Sequence, residues 1–347
     1  MSKATSFDIA YYAGVSQSTV SRALRNSPLV SDRTKEKVQR IAEQLNYKVD
    51  KNASNLSTQQ SGNLALLLFQ DPTADESQIN PFFISMISSI IRASNNKGYD
   101  LLVSFQVLTD DWHADYEDTR KADGIILLGY GDYTDYRDKL LHLEDQGTHY
   151  VRWGAARENQ AGLSIGTDNY SGGAAVAEHL LAMDRKRFIF VGNISKGSPE
   201  FADRYSGFKN TIEGSGTDCK ISQLDAVSSE EAGDKAAKAL LSFDESFDAI
   251  FCASDIIAIG VMKRLRNSGV NIPKDVSIVG FDNIPIAEYL RPPLTTVQQN
   301  TLKAGEILVE TLIANINSDA PEKPTLLAPK LIVRESCGTA REQSSED

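Results

Sequence analysis

At 347 residues, with hydrophobic residues at 41% and aromatics at 8%, the chain has the composition of a soluble globular protein of two or three domains, each able to bury a core without staples. No apolar run approaches the roughly 20 residues that cross a bilayer, and the polar start Met1-Ser2-Lys3-Ala4-Thr5-Ser6 has no secretory apolar stretch, so no membrane partner and a cytoplasmic location are expected. The net charge of −11 argues against nucleic acid for the whole but not for the parts: residues 1–62 carry nine Lys/Arg against five acids, net +4, and the remainder 27 against 42, net −15. A basic head on an acidic body fits a DNA reader carrying a regulatory body, because the body is repelled by phosphates that attract the head. Cys219, Cys252 and Cys337 are far apart, without Cys-x-x-Cys spacing or a nearby histidine, so neither a disulfide framework nor a zinc site is expected.

Residues 5–24, TSFDIAYYAGVSQSTVSRAL, read as two short helices around a tight turn. Thr5 is the N-cap of the first, with Asp8 three residues on as in a capping box. Ile9, Ala10 and Ala13 share a face, Gly14 ends the helix in a left-handed conformation, and Val15 turns inward. Ser16 caps the second helix, where Val20, Ala23 and Leu24 face the first and leave Gln17, Ser18, Ser21 and Arg22 outward. A third helix from Ser31 to Leu45 offers Val38, Ile41, Ala42 and Leu45 to the same small core. A generic three-helix bundle gives the same pattern, but its solvated faces are usually rich in Glu and Lys. Amide, hydroxyl and guanidinium groups suit base edges and phosphates, with Arg22 able to pair bidentately with guanine.

The order DIAYYAGVSQSTVSRAL (8–24), VSDRTKEKVQRIAEQLNY (30–47), NPFF (80–83), ADGIIL (122–127), IGTDNYSGG (165–173), RYSGF (204–208), ASDIIAIGVM (253–262), VSIVGFDN (276–283) and PPLTTVQQ (292–299) resembles the lactose-repressor/galactose-repressor (LacI/GalR) family along nearly the whole chain. The resemblance implies an N-terminal all-α helix-turn-helix domain (1–49), a hinge segment (50–61), a two-lobed α/β body of the type I periplasmic-binding-protein kind with parallel sheets (62–338), and a tail (339–347) expected to be disordered. It implies a homodimer on double-stranded operator DNA, with a DNA-facing set of Thr5, Ser16, Gln17, Ser18, Thr19, Ser21, Arg22 and Ser31. Residues 50–61, DKNASNLSTQQS, are too polar to stay folded alone; by resemblance they form a short helix on the operator, where Leu56, beside Ala53, wedges into the minor groove. Val49 stands where Pro is common, and Ser54 where Arg is often found.

From residue 62 onward, short β-branched or leucine-rich runs (NLALLLF, DLLVSF, GIILLG, HYVRW, RFIFVG, DAIFCA, VSIVGF) alternate with helical stretches, among them 82–97, 110–120, 133–146 and 171–184. That alternation predicts parallel sheets with helices on both faces. The resemblance implies two lobes joined near 163–168, 290–298 and 325–330. Ligands in open α/β lobes bind beyond the carboxyl ends of strands, where Arg152, Trp153, Ser254, Asp255 and Asp282 lie, with Arg204 opening a helix. On the family's motif positions, Arg204, Ser254, Asp282 and Gln299 are effector contacts, with Phe82 and Trp153 as stacking plates. Asp255 and Asp282 could equally cap the helices that follow; the cap is the reading for Asp255 and the ligand for Asp282. Arg204 has a surface pairing with Asp203 or Glu200 as its alternative, and Trp153 is plate or core.

The expected effector is a mono- or disaccharide, which needs polar side chains for its hydroxyls and an aromatic plate. The alternatives are a nucleobase co-repressor on the same architecture, or a solute-binding protein that never meets DNA. An enzyme is not expected. No Gly-x-Gly-x-x-Gly follows a strand, no Walker lysine is present, and His113, His142, His149 and His179 have no evident nucleophile or metal partner, so no catalytic residue, cofactor or metal is assigned. Dimerisation is expected from the body, including helix 82–97, and after Arg334 no leucine heptad suggests a tetramerisation coil.

Overall fold

The computed structural model of the protein describes residues 4–47, 60–69, 79–106, 111–129, 133–155, 161–195, 197–243, 246–318 and 324–338, grouped in two compact units, Met1–Gly62 and Asn63–Asp347. The hinge residues Ala53 and Leu56, the departures Val49 and Ser54, and the tail 339–347 lie outside the described residues. No helix among the described residues is long and apolar enough to cross a membrane.

The first unit holds α1 (Ser6–Ala13), α2 (Gln17–Leu24) and α3 (Asp32–Gln44). Each starts where a hydroxyl satisfies an otherwise unpaired helix-end amide: Thr5 forms a complete capping box with Asp8, Ser16 accepts from the Thr19 amide, and Ser31 from that of Thr34. Gly14, at φ 64°, provides the left-handed residue that lets α1 stop and α2 turn across it. Ile9, Ala13, Val20, Ala23, Val38 and Ala42 close a mini-core, joined by Ala10, Val15, Leu24, Ile41 and Leu45 as periodicity predicts. Val30 and Tyr47, from the segments flanking α3, also join it.

The second unit is two lobes. In the first, β1 (Asn63–Phe69), β2 (Asp100–Gln106), β3 (Ile125–Leu128), β4 (Tyr150–Trp153) and β5 (Leu163–Thr167) alternate with α4 (Pro81–Asn96), a π-helical turn at Ala114–Asp118, and α5 (Tyr133–Asp145). In the second come α6 (Asn169–Ala182), β6 (Arg187–Val191), α7 (Pro199–Gly214), β7 (Lys220–Leu224), α8 (Glu230–Leu240), β8 (Ala249–Cys252), α9 (Asp255–Asn267), β9 (Ser277–Asp282) and β10 (Thr295–Gln298). The chain then returns to the first lobe, where α10 (Thr301–Ile316) packs on α4 and β11 (Thr325–Leu327) on β5, and re-enters the second as β12 (Lys330–Ile332). The strand orders β2-β1-β3-β4-β5-β11 and β7-β6-β8-β9-β10-β12 repeat one another. Strands such as IILL, FIFV and AIFC are buried along their length because helices cover both faces of each sheet.

Crossings come at residue 168, within the expected 163–168, and at 299–300, just past the expected 290–298, because β5 (Leu163–Thr167) and β10 (Thr295–Gln298) are sheet strands. Two details differ from expectation. β12 runs antiparallel to β10, which an edge strand entered two residues after β11 can do without a crossover helix. The helix expected at 110–120 is reduced to a short segment around the π-turn, where Trp112 and Tyr116 are both buried and Arg120, at φ 55°, turns the chain back.

Candidate functional site

In each lobe the strand order reverses direction at the first strand, between β1 and its neighbour β3 and between β6 and its neighbour β8. The crevice beyond the carboxyl ends at such a switch point is where open sheets hold ligands. Here a narrow cleft, with an open volume of about 10 Å³, is lined by Phe82, Phe83, Gly129, Trp153, Gly154, Thr167, Asn169, Glu200, Arg204 and Gln299. Every one of them sits at an element end: Phe82 and Phe83 in the first turn of α4, Gly129 after β3, Trp153 and Gly154 at the end of β4, Thr167 closing β5, Asn169 opening α6, Glu200 and Arg204 in the first turns of α7, and Gln299 after β10. The apolar wall is compact, with the Phe82 and Trp153 rings 6.1 Å apart at 44° and Phe82 and Phe83 edge-on at 5.2 Å.

The polar wall is one connected network. Arg204, 2% exposed, donates through Nε to Asn169 Oδ1 at 2.8 Å and through Nη1 to the Ala253 carbonyl, while its guanidinium lies 3.7 Å over the Phe281 ring. Its Nη1 is 3.8 Å from Asp282 Oδ1. Gln299 donates to that same Oδ1 at 2.7 Å and accepts from Thr167 Oγ1 at 2.6 Å, so a side chain at a crossing ties the first lobe to the second. Asp282 itself is held at φ 115°, a conformation costly for a side-chain-bearing residue, and its buried Oδ2 has no hydrogen-bond partner among the described residues. Burial pushes its carboxyl up to about 6 against the opposing pull of Arg204 and Gln299. The result is a buried acceptor with an unmet bond in a site that already holds its own cation.

Four of the expected effector residues, Phe82, Trp153, Arg204 and Gln299, line the cleft, and Asp282 stands behind Gln299. Arg204 does not pair at the surface with Asp203 or Glu200, because it is buried against Asn169 and Asp282. Ser254 is fully buried and is itself the N-cap of α9, accepting from the Ile257 amide and sharing a 2.9 Å hydrogen bond with Ser228; it is not among the lining residues. The cap assigned to Asp255 therefore belongs to Ser254, one residue earlier. Asp255 instead accepts from the Ile284 amide at 2.9 Å and Thr296 Oγ1 at 2.6 Å, clasping the segments after β9 and within β10, and burial holds its carboxyl well above the usual range. Arg152 is buried behind the cleft and reaches the Ala155 carbonyl at 3.4 Å. Thr167, Asn169 and Glu200 are lining residues that sequence reasoning did not single out. Thr167 and Asn169 lie inside IGTDNYSGG at a strand end, a usable signal; Glu200, in a loop-to-helix start, carries none.

Among the described residues no group of three or more His, Cys, Asp or Glu could hold a metal. His113 and His149 gather around Glu117, with His149 Nδ1 at 3.3 Å from Oε2, and His179 Nε2 lies 3.1 Å from Cys337 Sγ.

On the head, Gln17, Ser18 and Arg22 are exposed along α2, and Thr19 and Ser21 are partly covered. Gln17 donates to Ser6 Oγ at 2.9 Å, and Ser16 shares hydrogen bonds of 2.8 Å with both Ser18 and Thr19, so these polar groups are held in place before any partner arrives. The Arg22 side chain makes no hydrogen bond or ion pair among the described residues, whereas Ser21 is engaged by Arg25. Thr5 and Ser31 serve as caps and remain exposed. Tyr11 and Tyr12, edge-on at 5.5 Å, are both exposed on α1; two aromatics off its apolar face are a surface feature that the periodicity analysis passed over.

Residues 7–50 match the bacterial regulatory proteins of the lacI family, and residues 177–337 match the periplasmic binding protein-like domain. The ribose operon repressor of Haemophilus influenzae is 30% identical over 348 residues, covering 96% of this chain and 98% of that protein. The HTH-type transcriptional repressor PurR of Vibrio atlanticus is 27% identical over 97% of this chain and 99% of its own length. Among solved structures, a transcriptional regulator CelR–cellobiose complex aligns with a TM-score of 0.69 at 25% identity, covering 96% of this chain and 99% of that one. A lac repressor dimer bound to operator and the anti-inducer ONPF shares the fold, with a TM-score of 0.76 at 22% identity over 97% and 100% of the two chains.

Proposed function

The chain belongs to the lacI family of bacterial regulatory proteins and is a DNA-binding transcriptional repressor of that family, and we propose that a mono- or disaccharide held in the interlobe cleft sets its affinity for the operator. The observation that carries this is the network in which Arg204 holds Asn169 and Asp282 while Gln299 joins Asp282 to Thr167, with an unmet acceptor on Asp282, beside the Phe82 and Trp153 rings. Hydroxyls pair with such groups and a pyranose or furanose face lies on such rings. The relatives named for ribose and bound to cellobiose support the same class.

In this reading residues 1–49 read the operator, 50–61 join head to body, and 62–338 bind effector and dimerise. Arg22 pairs with a guanine, Gln17 and Ser18 read neighbouring bases, and Thr5, Ser16, Thr19, Ser21 and Ser31 contact phosphates. Two heads then occupy successive major grooves of a near-palindromic site. The effector acts because Gln299 and Thr167 belong to segments where the chain passes between lobes: engaging Asp282 and Gln299 biases the relation of the lobes, and through it the spacing of the heads. No reacting nucleophile or cofactor enters this scheme.

The test is binding of the purified protein to its own upstream intergenic DNA, titrated at fixed salt with mono- and disaccharides and with purines. Release by one sugar is the expected result. Tightening by a purine with no response to any sugar would replace the effector class and keep the repressor. Absence of DNA binding in every condition would remove the operator reading.

A further inference from the structure

We infer that Glu200 is a specificity-determining residue of the cleft, admitting a neutral or amine-bearing effector and turning away one that carries a phosphate or carboxylate. The inference rests on the effector reading above and deepens it. Glu200 enters from the second lobe in the first turn of α7, directly after Pro199, and lines the cleft. Its Oε1 accepts from the Ala155 amide of the first lobe at 2.8 Å, so the carboxylate spans the mouth between lobes. Gly154 makes the room: at φ 153° it has no Cβ, and one built there would come within 3.2 Å of Glu200 Oε1. The second carboxylate oxygen makes no hydrogen bond among the described residues and is left to the ligand.

Whether an anion could still be welcome depends on the cations facing it. Among the described residues Arg204 is the one cationic residue lining the cleft, and its charge is already met by Asp282 at 3.8 Å, its donors by Asn169 and the Ala253 carbonyl, and its face by Phe281. Arg152, buried behind Gly154, donates to the Ala155 carbonyl at 3.4 Å. The starts of α4, α6 and α7 offer about half a unit of positive charge each, but Asp168 already caps α6 and Glu200 itself occupies the first turn of α7. Asp282 offsets Arg204, and Glu200 offsets Arg152, whose Nη1 also lies beside Gly154, so among the described residues the cleft has no surplus positive charge. A phosphate of charge about −1.5 to −2 would lie against a carboxylate in a setting screened less than water, and at 4–6 Å such repulsion weakens binding by at least about tenfold. An ammonium group would instead gain a partner.

The test uses the full chain and isothermal titration with ribose, glucose and cellobiose, each beside a phosphorylated or carboxylate form, plus glucosamine. The comparison is with E200Q, which keeps an oxygen for the Ala155 amide, and melting curves check that both proteins are folded. At least one neutral sugar binding about tenfold or more tightly than its anionic form, with that ratio shrinking about tenfold in E200Q, supports the assignment. An anionic form that binds as tightly as the neutral one, or a ratio that does not move in E200Q, overturns it while leaving the sugar reading standing. If no sugar of the panel binds in any form, the effector reading itself fails and takes this inference with it.

Discussion

Asp282 shows how one side chain couples a site to solution conditions. Its carboxyl is raised to about 6 by burial, from an unfolded value near 3.8, so the folded state binds its proton more tightly than the unfolded state does. Stability contributed by that proton is present below the unfolded value and falls as pH rises toward 6, by about 3 kcal/mol if the full shift is realised. Chemical denaturation at pH 4 to 7 is therefore expected to show a shallower pH slope in this interval for D282N than for the wild type. Effector binding has the opposite sign, because hydroxyls donate to the ionised form. The dissociation constant should weaken by up to about tenfold per unit as pH drops below 6, and D282N should flatten the profile. Truncating the partner has a plainer consequence: R204A leaves Asp282 buried without its cation and is expected to cost about 3–5 kcal/mol of stability in a urea titration.

At the scale of elements, the cleft depends on how closely α6 and α7 approach. Gly173 on α6 and Gly207 on α7 face each other's backbones: a Cβ on Gly173 would land on the Arg204 carbonyl, and one on Gly207 on that of Tyr170. Backbone cannot yield as a flexible side chain can, so G207A must push the helices apart and carry Arg204 away from Asn169. Loss of sugar response with operator binding retained is the expected phenotype, read by the same titration as above. On the head, α2 is held by caps and by the Gln17–Ser6 bond, while Arg22 stands exposed. R22A should weaken operator binding by about 1–3 kcal/mol and relax specificity at one base position, measured by competition among single-base operator variants.

At the scale of the molecule, the family to which the chain belongs acts as dimers on DNA, and the first lobe offers a surface for this. Ile84 and Ile91 on α4 are each 48% exposed, and on β2, which packs against α4, Val103 is 48% and Phe105 52% exposed, large apolar side chains that a partner could cover. The double substitution I84D/I91D should shift sedimentation from dimer to monomer and weaken operator binding, since each head would then bind alone. A dimeric double mutant would move the interface elsewhere on the body.

The amino-acid sequence by itself determined the helix-turn-helix, because capping hydroxyls, Gly14 and 3.6-residue periodicity act within a few residues of one another. It also determined the alternating strands and helices, since strands buried on both faces must be apolar along their length, and it marked Arg204 and Asp282 at strand ends and helix starts. Only the tertiary structure decided which polar residues share a cleft. Ser254 and Asp255 are neighbours in the chain, yet one caps α9 and the other clasps β10, a choice made by where Ile257, Ile284 and Thr296 arrive. Glu200 is likewise an ordinary helix-start acid until the other lobe brings the Ala155 amide to it. Contacts between residues far apart in sequence have no local pattern to betray them. They exist only once the two lobes have been brought together around the cleft.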